Sequence, residues 1–311
     1  MYWNEKPYHS LDYDMKKRYG EKVYKIAIDA GMTCPNRDGK CGTGGCIFCS
    51  EGGSGDFAIS KAAHNNIDSI KSQLEKGKSL FHTKKTGNLF IAYFQSFTNT
   101  YAAVDVLRKK YEEALTAEDC VGLSIATRAD CLGNDVLDLL KELNSRTFLQ
   151  VELGLQTVND KTAQVINRGY SLDVFTQSVQ ALQSRGIEIV AHLIVGLPGE
   201  DRTDYLNAVR YISDMKINGV KIQVLYLLQD APLMQWYTEG KIKFMERFEY
   251  IDTIAAMLSY LSPQVVVHRL TGDPPWRSLI EPKWTTDKKQ ILNQINQYLK
   301  EKNIYQGCWR K

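Results

Sequence analysis

The chain has 311 residues, 43% of them hydrophobic and 24% charged, and a formal net charge of +3. This describes an ordinary globular protein, long enough for one large barrel with extensions or two modest domains, and it excludes an overall basic field that would demand nucleic acid. The start, MYWNEKPYHS, has no apolar signal segment, and no run of eighteen apolar residues follows, so a membrane span is not expected and a reducing cytoplasm is.

Residues 23–30 form a short apolar run that reads as a strand. It feeds a glycine-rich loop, Cys34-Pro-Asn-Arg-Asp-Gly-Lys-Cys41-Gly-Thr-Gly-Gly-Cys46-Ile-Phe-Cys49, with Gly52, Gly53 and Gly55 beyond. Thiolates so placed in an intracellular protein are iron or zinc ligands, and the glycines let backbone wrap a bulky inorganic centre. Cys34, Cys41, Cys46 and Cys49 together keep structural zinc open. A zinc ribbon pairs two CxxC knuckles, though, and only one is present, which favours an iron–sulfur centre. Cys120, Cys131 and Cys308 are scattered and read as core or surface thiols.

Downstream, strand-like runs at 88–95, 121–128, 148–156, 187–196 and 220–227 alternate with helical stretches at 61–75, 102–115, 134–143, 160–167 with 172–184, and 202–216. Gly169 and Gly186 stand where helix-ending glycines belong. The pattern predicts an α/β fold of six βα units, a partial TIM-like (β/α)6 barrel with functional loops at the C-terminal strand ends. It is flanked by an N-terminal extension (1–22) and a C-terminal one (231–311), with no linker and no repeat.

Period-two alternation assigns faces to these strands. Leu149, Val151, Leu153 and Leu155 share one face, and Gln150, Glu152, Gly154 and Gln156 the other. The same split turns Ser124, Arg128, His192, Gly196, Lys221 and Gln223 away from the apolar side. With helices outside, these polar faces must line the lumen, where each unpaired group costs about 1–3 kcal/mol, so they need a ligand or one another.

The cysteine loop, with Phe48 before its last cysteine, resembles that of the radical S-adenosylmethionine enzymes. The resemblance continues through Thr127-Arg128-Ala129-Asp130, Glu152-Leu-Gly-Leu-Gln156, Asn167-Arg168-Gly169 and Ala191-His-Leu-Ile-Val-Gly196-Leu-Pro-Gly-Glu200. This ordered series, over roughly residues 20–230, is similar to the radical domain of Elongator's catalytic subunit and its small stand-alone bacterial relatives. The resemblance implies a radical S-adenosylmethionine barrel at 23–230, with a 4Fe-4S cluster on Cys34, Cys46 and Cys49 and one iron left for S-adenosylmethionine. Cys41 is then the spare, although a ligand set using it in place of Cys34 would also be near the family's spacing. It further implies that Arg128 meets the methionyl carboxylate or a phosphate, Glu152 the ribose hydroxyls, and Gln156 and the backbone near Phe48 the adenine or amino-acid part. His192 either acts on cofactor or substrate or is an orienting lumen residue. Arg168, before a helix-ending glycine, carries little functional signal.

The family's substrate is uridine at the tRNA wobble position. The segment from Lys283 onward, with seven Lys/Arg against two Asp/Glu, is compatible with gripping RNA, as are Trp276, Trp284, Tyr298 and Tyr305. Lys221, Arg269 and Lys283 are the expected substrate contacts, the loop 269–276 being either such a contact or a lid. The chain ends with no room for Elongator's acetyltransferase-like domain, so the expected reaction is a different side-chain step, carboxymethylaminomethyl to aminomethyl. Expected partners are tRNA, an electron donor such as flavodoxin or ferredoxin, and a downstream tRNA methyltransferase. The competing readings are a radical enzyme for a small metabolite and a zinc-stapled RNA-binding protein.

Overall fold

The computed structural model describes residues 2–53, 69–82 and 87–310; Gly55 and positions 61–68 of the second expected helical stretch lie outside them. Helix α1 (Leu11–Tyr19) precedes β1 (Tyr24–Ile28), α2 (Ile70–His82), β2 (Phe90–Phe94), α3 (Val104–Leu115), β3 (Cys120–Thr127), α4 (Asn134–Asn144) and β4 (Phe148–Gln156). Then come α5 (Asp160–Val165), α6 (Leu172–Gln183), β5 (Glu188–Val195), α7 (Arg202–Asp214) and β6 (Gly219–Val224). The remainder holds β7 (Leu227–Leu228), α8 (Leu233–Thr238), α9 (Arg247–Tyr260), β8 (Val266–Arg269), β9 (Leu279–Glu281) and α10 (Lys288–Glu301).

Among the described residues the main sheet has seven strands in the order β1-β2-β3-β4-β5-β6-β8, all parallel. Each strand pairs with the next one in sequence until β6, so the crossover helices stack along one side, as right-handed βα connections require. That side is apolar: Ile26, Ile28, Leu123, Ile125, Val151 and Leu153 pack against helix residues such as Leu107, Leu140, Phe175 and Ile212. Local chemistry sets the helix ends. Ser171 caps α6 through Val174 N, and Asp201 and Asp204 form a reciprocal capping box on α7. Gly169 and Gly186 both take positive φ.

Two expectations change. Helix α2 runs on past Glu75 to His82, through Gly77. Gly77 is buried and Leu74 is fully so, so close packing outweighs the roughly 1 kcal/mol that an interior glycine costs. The sheet also has a seventh strand, β8, supplied by the C-terminal extension. It pairs Gly219 with Val266, Val220 with Val267 and Lys221 with Arg269, so one extra residue, His268, bulges from β8. Outside β8 lies the start of the chain: Ser10 bridges Val267, Val267 N donates to His9 O (2.7 Å), and Gln306 N donates to Pro7 O (2.8 Å).

Candidate active site

The cysteine loop leaves β1 and is fastened by backbone bonds. Gly45 N donates to Asn36 O (2.8 Å), Ile47 N to Ile166 O (3.1 Å), and Leu233 N to Ile47 O (2.9 Å). The Asn167-Arg168-Gly169 stretch is its anchor. Asn167, at φ 54°, donates from Nδ2 to Gly45 O (2.7 Å), and its carbonyl accepts from Asn36 Nδ2 (2.6 Å), which also reaches Cys46 Sγ at 3.7 Å. Arg168 is 1% exposed and donates to the carbonyls of Tyr170, Leu155 and Thr157 and to Asp160, at 2.7–3.1 Å. It ties the end of β4 to the turn under the cysteines. Arg168→Leu leaves these buried carbonyls unpaired, and we expect a stability loss of about 3 kcal/mol by urea denaturation, not restored by Arg168→Lys, whose single nitrogen cannot span them.

Cys34, Cys46 and Cys49 line one cavity at the C-terminal ends of the strands, together with Phe48, Arg37 and Gly53. Cys41 does not. It is exposed and borders a separate recess with Lys40, Tyr101 and Cys131. Among the described residues no three His, Cys, Asp or Glu side chains converge on a single-ion site. A cluster that takes each thiolate on a different iron suits the three thiols better than a lone zinc. The loop itself is closely packed. Gly45 and Gly53 have φ of 77° and 65°, and a Cβ there would lie 2.8 Å from Arg37 Nε and 3.0 Å from the Phe97 ring. A hydrogen bond from Cys49 lowers the Cys46 thiol against the effect of burial, aided by the charge of Arg128, by Asn36 and by Arg37, while the same bond and burial push the Cys49 thiol up.

Opposite the cysteines, the lumen is a polar lattice around Glu152, which is 1% exposed. One carboxylate oxygen accepts from Lys25 Nζ and Ser124 Oγ, both at 2.7 Å; the other accepts from His192 Nε2 at 2.6 Å and from Lys221 Nζ. Burial opposes ionisation of Glu152, but the charges of Lys221 and Lys25 outweigh it and hold the carboxyl well below the usual range. Burial pushes Lys221 down to about 7 against the pull of Glu152, and burial with the Lys221 charge lowers His192. Tyr93 completes the lattice: Lys221 Nζ donates to its hydroxyl (3.1 Å) and stands 4.3 Å from its ring centroid.

The lumen therefore gathers Arg128, Glu152, Gln156, His192, Lys221 and Arg269. Several of these groups already hold partners within the chain. The lone pairs of Glu152, expected to meet ribose, are taken by four donors. Arg128 is held by Asp130 in a two-pronged bond (2.9 and 2.7 Å) and stacks 4.9 Å from the Tyr170 ring, which Arg168 also meets at 4.8 Å. Gln156 lies at a bulge of β4 with φ 58°; oriented as hydrogen bonding demands, its amide nitrogen donates to Gly154 O (2.8 Å). A Cβ at Gly154 would lie 2.5 Å from that amide. Arg269 stands at the end of β8, so the segment it opens borders the cavity, as does Asp273.

Lys283 is not a cavity residue. It is exposed and donates to Leu279 O (2.6 Å). Trp284 turns inward, donating Nε1 to Met245 O (3.0 Å) and packing 5.4 Å from Tyr250; Tyr298 donates to Asp252 (2.7 Å). Only Trp276 of the two tryptophans is open, 71% exposed, with the Arg277 guanidinium 5.3 Å from its ring. Lys25 and Tyr93 are lattice members that the sequence reading does not single out, although Lys25 alternates with Ile26 and Ile28 and its direction follows from that.

The profile of the Radical SAM superfamily matches residues 38–212, and that of the Radical_SAM C-terminal domain matches 217–301. The Bacillus subtilis protein YtqA is 44% identical over 303 residues, covering 97% of this chain and 92% of its own. The tRNA uridine(34) acetyltransferase of Methanocaldococcus jannaschii is 23% identical across 95% of this chain, which spans 60% of that relative. The solved structure of Methanocaldococcus infernus Elp3 shares the fold, with a TM-score of 0.69 at 17% identity over 91% of this chain and 64% of that one.

Proposed function

Because the chain belongs to the radical S-adenosylmethionine superfamily, whose enzymes use a 4Fe-4S cluster and S-adenosylmethionine, we propose that it remodels a modified wobble uridine of tRNA, taking a carboxymethylaminomethyl side chain to aminomethyl. The observation that carries this reading is a single cavity with three thiols on one wall and a cation-bearing lattice on the other. When bound, the cofactors would supply a 5′-deoxyadenosyl radical that takes a hydrogen atom from the side-chain carbon between nitrogen and carboxylate; with S-adenosylmethionine as the two-electron oxidant, water then splits the carbon–nitrogen bond and the two-carbon unit leaves as glyoxylate. The chain's own residues do the rest. Cys34, Cys46 and Cys49 would hold the cluster, Arg37 and Arg128 would offset its negative charge, and Phe48, packed with an apolar group that includes Leu225 and Leu197, keeps water from that side. Glu152 fixes the directions of His192 and Lys221, so the lumen is arranged before substrate arrives.

A tRNA substrate is supported by the relative named for uridine(34) and by Trp276 with Arg277, an exposed indole and cation suited to stacking on an unpaired base. Flavodoxin or ferredoxin is the proposed electron donor, and a methyltransferase the proposed next enzyme, since a primary aminomethyl group is a methyl acceptor. The test is mass spectrometry of tRNA nucleosides from cells with and without the gene. We expect carboxymethylaminomethyluridine to accumulate and its aminomethyl descendants to fall at least about tenfold; an unchanged profile overturns the proposal.

A further inference from the structure

The bulge at His268 does something specific. Without it, His268 would stand opposite Lys221; with it, Arg269 does, on the adjacent strand and facing the same cavity. Bulges that re-aim a side chain are common beside active sites. The result is a half-buried guanidinium whose hydrogen bond is a long one, from Nη1 to Gln223 Oε1 at 3.4 Å. No carboxylate among the described residues lies within ion-pair distance of it. Glu152 is saturated by Lys25, Lys221, His192 and Ser124, and Asp273, the other acidic residue bordering the cavity here, is paired with Lys288 at 2.5 Å. A cation turned into a cavity without a counter-charge is costly unless an anion comes to it.

We infer that Arg269, abreast of Lys221, is the receptor for a carboxylate carried by the substrate, so that the enzyme selects a nucleoside side chain ending in an N-linked glycine unit. This rests on the wobble-uridine reading above. The anion of the cofactor's methionyl group is the competing source of the same chemistry. Position separates them: Arg37 reaches the Glu51 and Cys49 carbonyls of the cysteine loop at 3.1 and 3.5 Å, whereas Arg269 stands abreast of Lys221 on the last strand of the sheet. A guanidinium suits the task because two parallel N–H bonds fix a planar carboxylate and orient the carbon beside it.

The test compares wild type with Arg269→Gln and Arg269→Lys, each loaded with cluster and checked for iron content. Calorimetry measures binding of 5-carboxymethylaminomethyluridine, of its neutral amide, and of S-adenosylmethionine. We expect wild type to prefer the acid over the amide by about tenfold or more, Arg269→Gln to lose that preference, Arg269→Lys to keep part of it, and S-adenosylmethionine affinity to stay within about twofold throughout. A merely structural arginine would weaken acid and amide alike. Loss of S-adenosylmethionine affinity with the acid preference intact would assign Arg269 to the cofactor and overturn the inference, as would a wild type that does not prefer the acid. Failure of the functional reading looks different: wild type would discriminate acid from amide yet leave carboxymethylaminomethyl-bearing tRNA unconverted.

Discussion

Anaerobically reconstituted Cys34→Ala, Cys46→Ala and Cys49→Ala proteins are expected to retain less than roughly a tenth of wild-type iron, and Cys41→Ala close to all of it. Each of the three thiols lines the central cavity, and Cys41 faces a separate recess. A cluster on two protein thiolates exposes two irons to water and outside ligands, so losing one of three removes more than a third of the hold. The visible charge-transfer band and S-adenosylmethionine cleavage should disappear with the iron. Cluster loss in Cys41→Ala with retention in Cys34→Ala would sink the assignment.

Glu152→Gln is expected to cost about 3–5 kcal/mol of stability, because it leaves the Lys25 and Lys221 amines, both already pushed down by burial, without the carboxylate that favours their charged forms. An amide can still accept from one lysine, but its nitrogen turns a donor toward the other, and the His192 contact loses its acceptor charge. The pH dependence should change with it. Glu152 titrates well below the ordinary carboxyl value of 4.5 in the folded chain. Its contribution is therefore complete above the unfolded value and is lost as pH falls through the folded one. Urea midpoints measured from pH 7 downward should show that part of the acid loss in wild type and not in Glu152→Gln. A variant as stable as wild type, with the same acid profile, would mean that the lattice does not depend on this carboxylate.

Much of the fold and site is legible in the amino-acid sequence because parallel strands under helices impose strict alternation. From Leu149 to Gly154 the packed and lumenal residues follow from period two alone, and β4 has the expected ends. Lys25 obeys the same rule and is readable in principle. What cannot be read is where alternation breaks. The bulge at His268 moves Arg269 opposite Lys221, and nothing in Val-Val-His-Arg, a four-residue strand just after Pro263, announces it. Saturation is also out of reach: a buried glutamate looks the same in sequence whether its oxygens await ribose hydroxyls or already hold two lysines, a serine and a histidine. Trp284 misleads for a related reason. An indole among cations can stack on a base or fill a core, and the Trp284 bond to Met245 O and its packing on Tyr250 decide for the core.

An open sheet of parallel strands leaves hydrogen-bonding groups along its outermost strands, and such rows recruit further chains unless they are covered. At β8 the covering comes from the opening residues of the same polypeptide. His9 O accepts from Val267 N, Ser10 bridges Val267, and Gln306, buried behind them, donates to the carbonyls of Ser262 and Val265. Residues 9 and 10 thus serve as a selvage on β8, blunting edge-to-edge association there.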